Sequence, residues 1–517
     1  MKLAAYFRLL RAGFILAREG ALSIVDNAAL PPVMRAGIRL GRLLERREVR
    51  QSGRVDRLTR ALNRLGPTYV KFGQTLATRP DIVGPEIAAD LAVLQDKMAP
   101  FDAALVPAIL KAALGPRADD LIEMSPPIAA ASIAQVHRAV LVENGMRRDV
   151  AVKILRPGVP ERFAADLEAY RAGAGLAERL VPALRRLRPL DMVTTLERSA
   201  RIELDLRLEA AAISQLGDNL KGDSGFVIPE VMWSHMAENV LTTSWVSGIP
   251  LNNLAALDAA GVDRKTLAAN LLQSFLRQAV RDGYFHADLH PGNLFADPAT
   301  SGIIAVDFGI MGRLTRKERR FLADVVYGFI TGDYMMIAKR HFDIGYVPQN
   351  QSVDEFALAL RAIGAPLQGR RASEISMANV LGQLFSTTEL FQMRARPELI
   401  LLQKSMVLVE GVARSLDPDL DIWTLSEPVV SDWLKKAAGP LGRLEDLKEH
   451  FDVAVETLGR LPALADKAEA LMDDERLRRS RLSPWQFWTR TMIVVGFVLV
   501  SATLLIAIAR LLVVTSP

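Results

Sequence analysis

Apolar and polar residues alternate along "RDVAVKILRPG" (148–158), and the run closes on Pro157 and Gly158. A period of two sends successive side chains to opposite faces of a strand. Just upstream, "PIAAASIAQVHRAVLV" (127–142) also ends in apolar and β-branched residues, so the pair predicts a β-hairpin. "ENVLTTSWVSGIPL" (238–251) predicts a further strand running into a linker, and "SGIIAVDFG" (301–309) a short buried strand ending in Asp-Phe-Gly. Helical spacing dominates elsewhere: through residues 1–60, in segments at 62–84 and 91–100, across roughly 160–217, from about 263 to 282, and through most of the chain after 309. Gly66-Pro67 and Arg79-Pro80-Asp81 mark turns. A strand-rich part followed by a helix-rich part predicts an α+β chain of two lobes with a cleft between them.

The chain has 517 residues, 50% hydrophobic and 24% charged, which suits a large globular body and argues against disorder. It has no cysteine, which excludes disulfides, thiolate zinc sites and cysteine nucleophiles. The net charge is only +5, but basic residues crowd the first 60 positions and "RLRRSRLSPWQFWTR" (476–490). With no nucleic-acid module in the sequence, these ends are expected to face an anionic phospholipid membrane, and no nucleic-acid partner is expected. "MIVVGFVLVSATLLIAIA" (492–509) has no charge over 18 residues. As a helix it would span about 27 Å, close to the hydrocarbon thickness of a bilayer. Trp485 and Trp488 precede it, where interfacial aromatics belong, and the arginines before it put the bulk of the chain on the cytoplasmic side. The alternative is a buried core helix. At the other end, Arg8, Arg11 and Arg18 interrupt every apolar run of "MKLAAYFRLLRAGFILAREG", which rules out a secretory signal. That segment reads equally as a basic amphipathic helix lying on a membrane or as an ordinary packed helix.

"HADLHPGN" (286–293) holds two of the chain's six histidines. Asp288 and Asn293 stand on one loop turned by Pro291-Gly292, and Asp307 follows at the end of a buried strand. A carboxylate and an amide oxygen brought together in this way are hard ligands suited to Mg²⁺. Upstream, Lys153 of "VAVK" is expected to point from its strand into the cleft, where it can neutralise phosphate charge if an acid orients it. Glu209, on a predicted helix, is the candidate acid. Lysine with glutamate, a loop aspartate, an asparagine and Asp-Phe-Gly form a phosphoryl-transfer constellation. Each element alone is weak; their order and spacing together carry the reading. His286 and His290 have a spacing that superficially suits zinc, but no third nitrogen or sulfur ligand is near, so they are read as ordering the loop.

Beyond this generic set, "KFGQ" (71–74), "LQDKMAP" (94–100), "AAASIAQVH" (129–137) and "ELDLRLE" (203–209) resemble the UbiB family of atypical kinase-like proteins, which includes mitochondrial members of coenzyme Q biosynthesis. The resemblance spans roughly residues 60–420, and the C-terminal apolar segment matches bacterial members. It implies a two-lobed protein-kinase-like fold with a helical N-terminal extension and a C-terminal transmembrane helix. The corresponding divisions are a basic amphipathic helical region at 1–60, a helical extension at 61–120, a kinase-like core at 121–345 with its first lobe ending near 248, further helices at 346–480, and a membrane anchor at 481–517. It also implies that Ala129, Ala130, Ala131 and Ser132, with Val136 and Lys153, bind the nucleotide in place of a glycine-rich loop. Alanine cannot adopt positive φ freely, so the phosphates would sit differently. Lys71 and Gln74 resemble a Lys-x-Gly-Gln signature on a helix folded over the substrate site, and Glu203 and Asp205 the acidic pair that holds it. Ala287 stands where protein kinases carry arginine, and no Ala-Pro-Glu follows Asp307, so control by activation-loop phosphorylation has no visible machinery.

The function this implies is a Mg²⁺- and ATP- (or ADP-) binding ATPase of ubiquinone biosynthesis at the inner membrane. It would act on or around polyprenyl-phenol intermediates, alongside other enzymes of that pathway, and support their hydroxylation indirectly. A small-molecule or lipid kinase and a protein kinase are the alternatives. Direct hydroxylation of the polyprenylphenol needs flavin, haem or iron, for which the sequence has no motif. A non-catalytic scaffold would not need Lys153, Glu209, Asp288, Asn293 and Asp307 together.

Overall fold

The computed structural model describes residues 3–24, 41–49, 53–77, 85–92, 99–180, 189–223, 225–365 and 397–438, with single positions at 383, 390, 391 and 393. The apolar run 492–509 lies outside this set, and among the described residues no helix is long and apolar enough to cross a membrane.

The helical pattern of the first hundred residues resolves into α1 (Leu3–Arg18), α2 (Arg54–Leu65), α3 (Pro67–Ala77) and α4 (Pro85–Ala92). Helix α1 is shorter than its periodicity suggests because the chain turns at Gly20, whose φ of +69° is open to glycine and costly for other residues. Next come α5 (Val106–Leu114), β1 (Leu121–Ile122), β2 (Ala129–Ala130) and the expected hairpin of β3 (Ala134–Glu143) and β4 (Met146–Leu155). The hairpin turns on Asn144 and Gly145, with φ of +52° and +75°. Two positive φ values in a two-residue loop match the right-handed strand twist, which is why Asn-Gly occupies it.

Three helices follow: α6 (Val159–Leu180), α7 (Pro189–Glu203) and α8 (Leu206–Asn219). Strand β5 (Phe226–Val227) belongs to the second lobe, whereas β6 (Val240–Ser244) completes the first sheet, ordered β1-β3-β4-β6 with β2 on β3. One face of this sheet buries Leu141, Val150, Val152 and Ile154 against Val106 and Leu110 of α5. Cross-strand partners Ala129, Val136, Lys153 and Leu241 form a row on the other face. The N-terminal helices clothe α6 and α7: Tyr69 and Phe72 of α3 each place their rings 5.1 Å from that of Tyr170.

The second lobe contains β7 (Ile249–Pro250), α9 (Leu254–Ala259), α10 (Arg264–Leu276), β8 (Tyr284–His286), β9 (Leu294–Asp297), β10 (Gly302–Ala305) and β11 (Met311–Arg313). Helices α11 (Arg316–Thr331), α12 (Tyr334–Asp343), α13 (Val353–Gly364), α14 (Pro397–Leu416) and α15 (Ile422–Ala438) complete it. Strands β5, β10, β9 and β7 make one small sheet, and β8 pairs with β11. Its core gathers Leu271 and Phe275 of α10, Phe285 and Leu289 around the loop 286–293, and Met406, Val409 and Ala413 of α14. The predicted helix over 263–282 is interrupted: its last turn, Arg277–Asp282, winds as a π-helix and stops at Gly283.

Candidate active site

Alternation along β4 buries Val152 and Ile154 on the hydrophobic side and turns Lys153 to the opposite face. Its Nζ lies 2.8 Å from both carboxylate oxygens of Glu209, on the first turn of α8, and 3.2 Å from Oδ1 of Asp307. The side chains of Lys153 and Glu209 are 18% and 8% exposed, and that of Asp307 is 45% exposed. Burial alone would lower the lysine's pKa; Asp307 and Glu209 outweigh it and hold the ammonium above its ordinary range. Lys153 in turn pushes Asp307 down to about 2, against the opposing effect of burial. Glu209 is raised by its burial and by the charge of Asp307, with Lys153 opposing. The lysine is thus held charged between a buried acid that orients it and a half-exposed acid.

The loop 286–293 is fixed from below. His286 is fully buried, and burial lowers its pKa, so the ring is neutral at pH 7. The Asp288 N–H donates to Nδ1 at 3.1 Å, which leaves the ring proton on Nε2, facing the Asp307 carbonyl. One imidazole therefore ties the loop aspartate to the Asp-Phe-Gly strand end. The His286 N–H donates to Gln278 Oε1 at 3.0 Å, and Gln278 belongs to the π-helical turn. That turn ends on Gly283 because a Cβ there would stand 2.6 Å from the Leu314 carbonyl oxygen. Ser405 of α14 shares its hydroxyl proton between the Leu401 carbonyl at 2.8 Å and the Ala287 carbonyl at 3.2 Å. His290 accepts from the Gly292 N–H at 3.1 Å. Both histidines thus order the loop.

Asn293 donates through Nδ2 to the Asp288 carbonyl and carboxylate, each at 3.4 Å, so its Oδ1 is turned away from them. Asp307 Oδ1 takes Lys153 and the Gly309 N–H at 3.3 Å, leaving Oδ2 uncommitted among the described residues. An amide oxygen and an ionised carboxylate oxygen are the hard donors Mg²⁺ takes when phosphate and water fill the rest of its sphere, so these residues fit that ion. Among the described residues no group of three or more His, Asp or Glu side chains forms a separate metal cluster.

The alanine strand is held in place by residues the sequence reading passed over. Arg156 donates to the Ala131 carbonyl through Nε and Nη2, at 3.1 and 2.9 Å, and to the Ala99 carbonyl at 2.8 Å. Gln135, fully buried, accepts the Phe101 N–H at 3.0 Å. Its amide nitrogen lies 2.9 Å from His137 Nε2, and His137 Nδ1 lies 2.8 Å from the Ser125 carbonyl. The stretch 99–101 is thereby clamped to the same sheet edge that presents Ala129–Ser132.

Comparison with known proteins identifies the family of the chain. The ABC1 atypical kinase-like domain matches residues 93–341, and the UbiB helical domain matches 360–421. The "Probable protein kinase UbiB" of Xanthomonas campestris pv. campestris is 40% identical over 413 residues, 78% of this chain and 74% of that one. The proteins of the same name from Aeromonas hydrophila and Vibrio cholerae are 40% and 39% identical, over 79% of this chain and 75% and 76% of theirs. The chain belongs to the UbiB family of atypical kinase-like proteins. Among solved structures, the Rv3197–erythromycin complex from Mycobacterium tuberculosis is similar at 23% identity and a TM-score of 0.49, over 69% of this chain and 90% of that one.

In this UbiB-family chain, α3 carries Lys71, whose Nζ lies 2.6 Å from Glu203 Oε1 at the end of α7, both side chains largely buried. Gln74 lies one turn further on, half-buried. Asp205 does not join this pair; it caps α8, accepting the Arg207 N–H at 3.1 Å and pairing with the Arg207 guanidinium at 2.8 Å. A short acidic residue directly before a helix is a capping signal, and here that local role prevails. No motif or spacing in the sequence marks Arg156, Gln278 or Ser405 as part of the site. Gln135 alone has a sequence signal, since it sits inside the family stretch "AAASIAQVH".

Proposed function

We propose that the chain is a Mg²⁺-dependent ATPase of the kinase-like type, held at the inner membrane and serving ubiquinone biosynthesis. The observation that carries this reading is Lys153, held charged between Glu209 and Asp307 beside a loop that presents Asp288 and Asn293. Lys153 would neutralise nucleotide phosphate charge. The row of Ala129, Val136 and Leu241 on the same sheet face would receive the adenine end of ATP or ADP. Asn293 Oδ1 and Asp307 Oδ2 would hold Mg²⁺, which when bound supplies charge neutralisation on the transferring phosphoryl group. Asp288 would accept a hydrogen bond from the nucleophile, a water or a substrate hydroxyl.

The membrane placement rests on the charge-free run 492–509 and the arginines before it. The acceptors or clients would be polyprenyl-phenol intermediates, with hydroxylation supported indirectly by presenting them to other enzymes of the pathway. Phosphoryl transfer to a small molecule or lipid is the second reading, since the same Asp288 can serve a phenolic hydroxyl. The test is Mg²⁺-dependent hydrolysis of ATP by the full chain in lipid nanodiscs, with and without a phenolic quinone-precursor mimic. Phosphate release that is lost in Asp307→Asn and Asp288→Asn supports the ATPase. Labelled phosphate on the phenol selects the kinase, and nucleotide binding with neither outcome overturns both.

A further inference from the structure

Helix α1 packs inward through small side chains with Leu9, Ile15 and Leu16 half-buried beside them, and leaves several large side chains outside. Ala5, Ala12 and Ala17 are buried, whereas Phe7 and Leu10 are 64% and 69% exposed and Phe14 is exposed too. A helix positioned only by burial in its own fold would carry polar residues on this second face, because exposed aromatic and leucine side chains gain most from leaving water. The rotation of α1 is fixed, so this is not a loosely placed segment. Its Arg8 donates to Asp166 of α6 at 2.7 Å, and Leu9 packs close against Gly173, where a Cβ would lie 3.2 Å away. Phe7, Leu10 and Phe14 follow the three- and four-residue spacing that makes one stripe, and exposed Arg11 and Arg18 flank it. The Arg18 guanidinium lies 5.9 Å from the ring centre of Phe14.

Charge is sorted in the same sense. The one acid within residues 1–24, Glu19, is 3% exposed and is held by Arg64 at 2.5 Å and Arg46 at 3.6 Å. The outward face of α1 is therefore apolar and cationic with no acid on it. The adjoining segment 41–49, whose Arg46 N–H donates to the Arg18 carbonyl at 3.2 Å, exposes Leu43 and Leu44 with Arg42 and Arg47, and also carries Glu45 and an exposed Glu48. Across residues 1–60, thirteen basic residues stand against five acids. A surface that offers aromatic and aliphatic side chains among arginines matches the boundary between acyl chains and anionic headgroups.

We propose that this face of α1 seats the N-terminal helical extension on an anionic bilayer. The inference rests on the membrane placement proposed above and adds to it which surface touches the lipid. It fixes the orientation of the kinase-like lobes, because α1 is packed on α6.

The absence of cysteine makes the test clean. Leu10→Cys and Leu358→Cys, the second at an exposed position of α13, are each spin-labelled in the full chain and reconstituted in nanodiscs of phosphatidylcholine with or without phosphatidylglycerol. Collisions with oxygen and with a water-soluble nickel chelate report immersion. The Leu10 label is expected to become hydrocarbon-like in the anionic discs and remain water-like in the neutral ones, with the Leu358 label water-like in both. Adding Arg11→Glu and Arg18→Glu is expected to lower the immersed fraction at least several-fold. A Leu10 label that stays water-like in chain-loaded anionic discs overturns the proposal while leaving the membrane anchor intact. A chain that does not enter discs at all overturns both. Equal immersion in neutral discs overturns the anionic requirement, and shielding from both reagents without lipid assigns the face to a second copy.

Discussion

Replacing Lys153 with methionine keeps much of the side-chain volume and removes the charge. In the native site, Nζ lies 2.8 Å from each oxygen of Glu209, whose side chain is 8% exposed. At that separation the attraction is about 6 kcal/mol for an effective dielectric constant of 20, and desolvation of both groups offsets part of it. Removing one partner of a buried pair leaves the other uncompensated, at a cost of about 3–5 kcal/mol. Glu209 has a way to reduce that cost. Burial and Asp307 already raise its pKa, and the lysine is what opposes the rise. In Lys153→Met the folded protein should therefore hold a proton on Glu209 that the unfolded chain releases above its ordinary carboxyl range. A folded state that binds more protons loses stability as pH rises, by up to about 1.4 kcal/mol per pH unit. The variant should be least destabilised near pH 5 and most destabilised near pH 8. Thermal melting of wild type, Lys153→Met and Lys153→Met/Glu209→Gln across that range tests this. The double variant should flatten the profile and recover most of the loss. A Lys153→Met deficit independent of pH, or one that grows as pH falls, would refute the electrostatic account of the pair.

His341 is buried among Phe321 and Phe356, and burial pushes its pKa down to about 4. Its neutral form stabilises the fold fully above about pH 6.5, and that contribution is lost as pH falls toward 4, so an acid-side melting slope should shrink in His341→Gln. Gly312→Ala would place a Cβ 2.1 Å from Cζ of Phe285 and is expected to cost about 1–3 kcal/mol in chemical denaturation, with Mg²⁺–nucleotide affinity read alongside. Ser405→Ala removes a shared hydroxyl bond to the Ala287 carbonyl; stability should drop by about 0.5–1.5 kcal/mol, and Ser405→Thr should restore it. Gln135→Leu leaves the Phe101 N–H and the His137 ring short of a partner, for an expected loss of about 1–3 kcal/mol by melting.

The hairpin, the buried strand before Asp-Phe-Gly and the pairing of Lys153 with Glu209 were all legible in the sequence. Each rests on short-range periodicity or on a motif order that one chain displays. Arg156, Gln135 and Ser405 were not legible, because each acts on a carbonyl or N–H far along the chain. Ser405 reaches Ala287 across 118 positions, and no local pattern in α14 announces it. The π-turn that aims Gln278 at the loop has no compositional mark either; only its end is marked, by Gly283 where the chain passes close to Leu314. Asp205, which the resemblance groups with Glu203, has a role that a local pattern does announce: it caps the helix that follows it.

The hydrophobic core of the second lobe draws on both matched family domains. Met406, Val409 and Ala413 come from the stretch matched by the UbiB helical domain, and Phe275, Phe285 and Leu289 from the ABC1 stretch. A gene cut at residue 341 would strip the floor from the loop that carries Asp288 and expose leucine and phenylalanine side chains to water. The boundary between the two domains marks where sequence statistics change, not where the protein can be divided. Recombination that separates them should yield aggregates, because each piece would carry an uncovered half of one core.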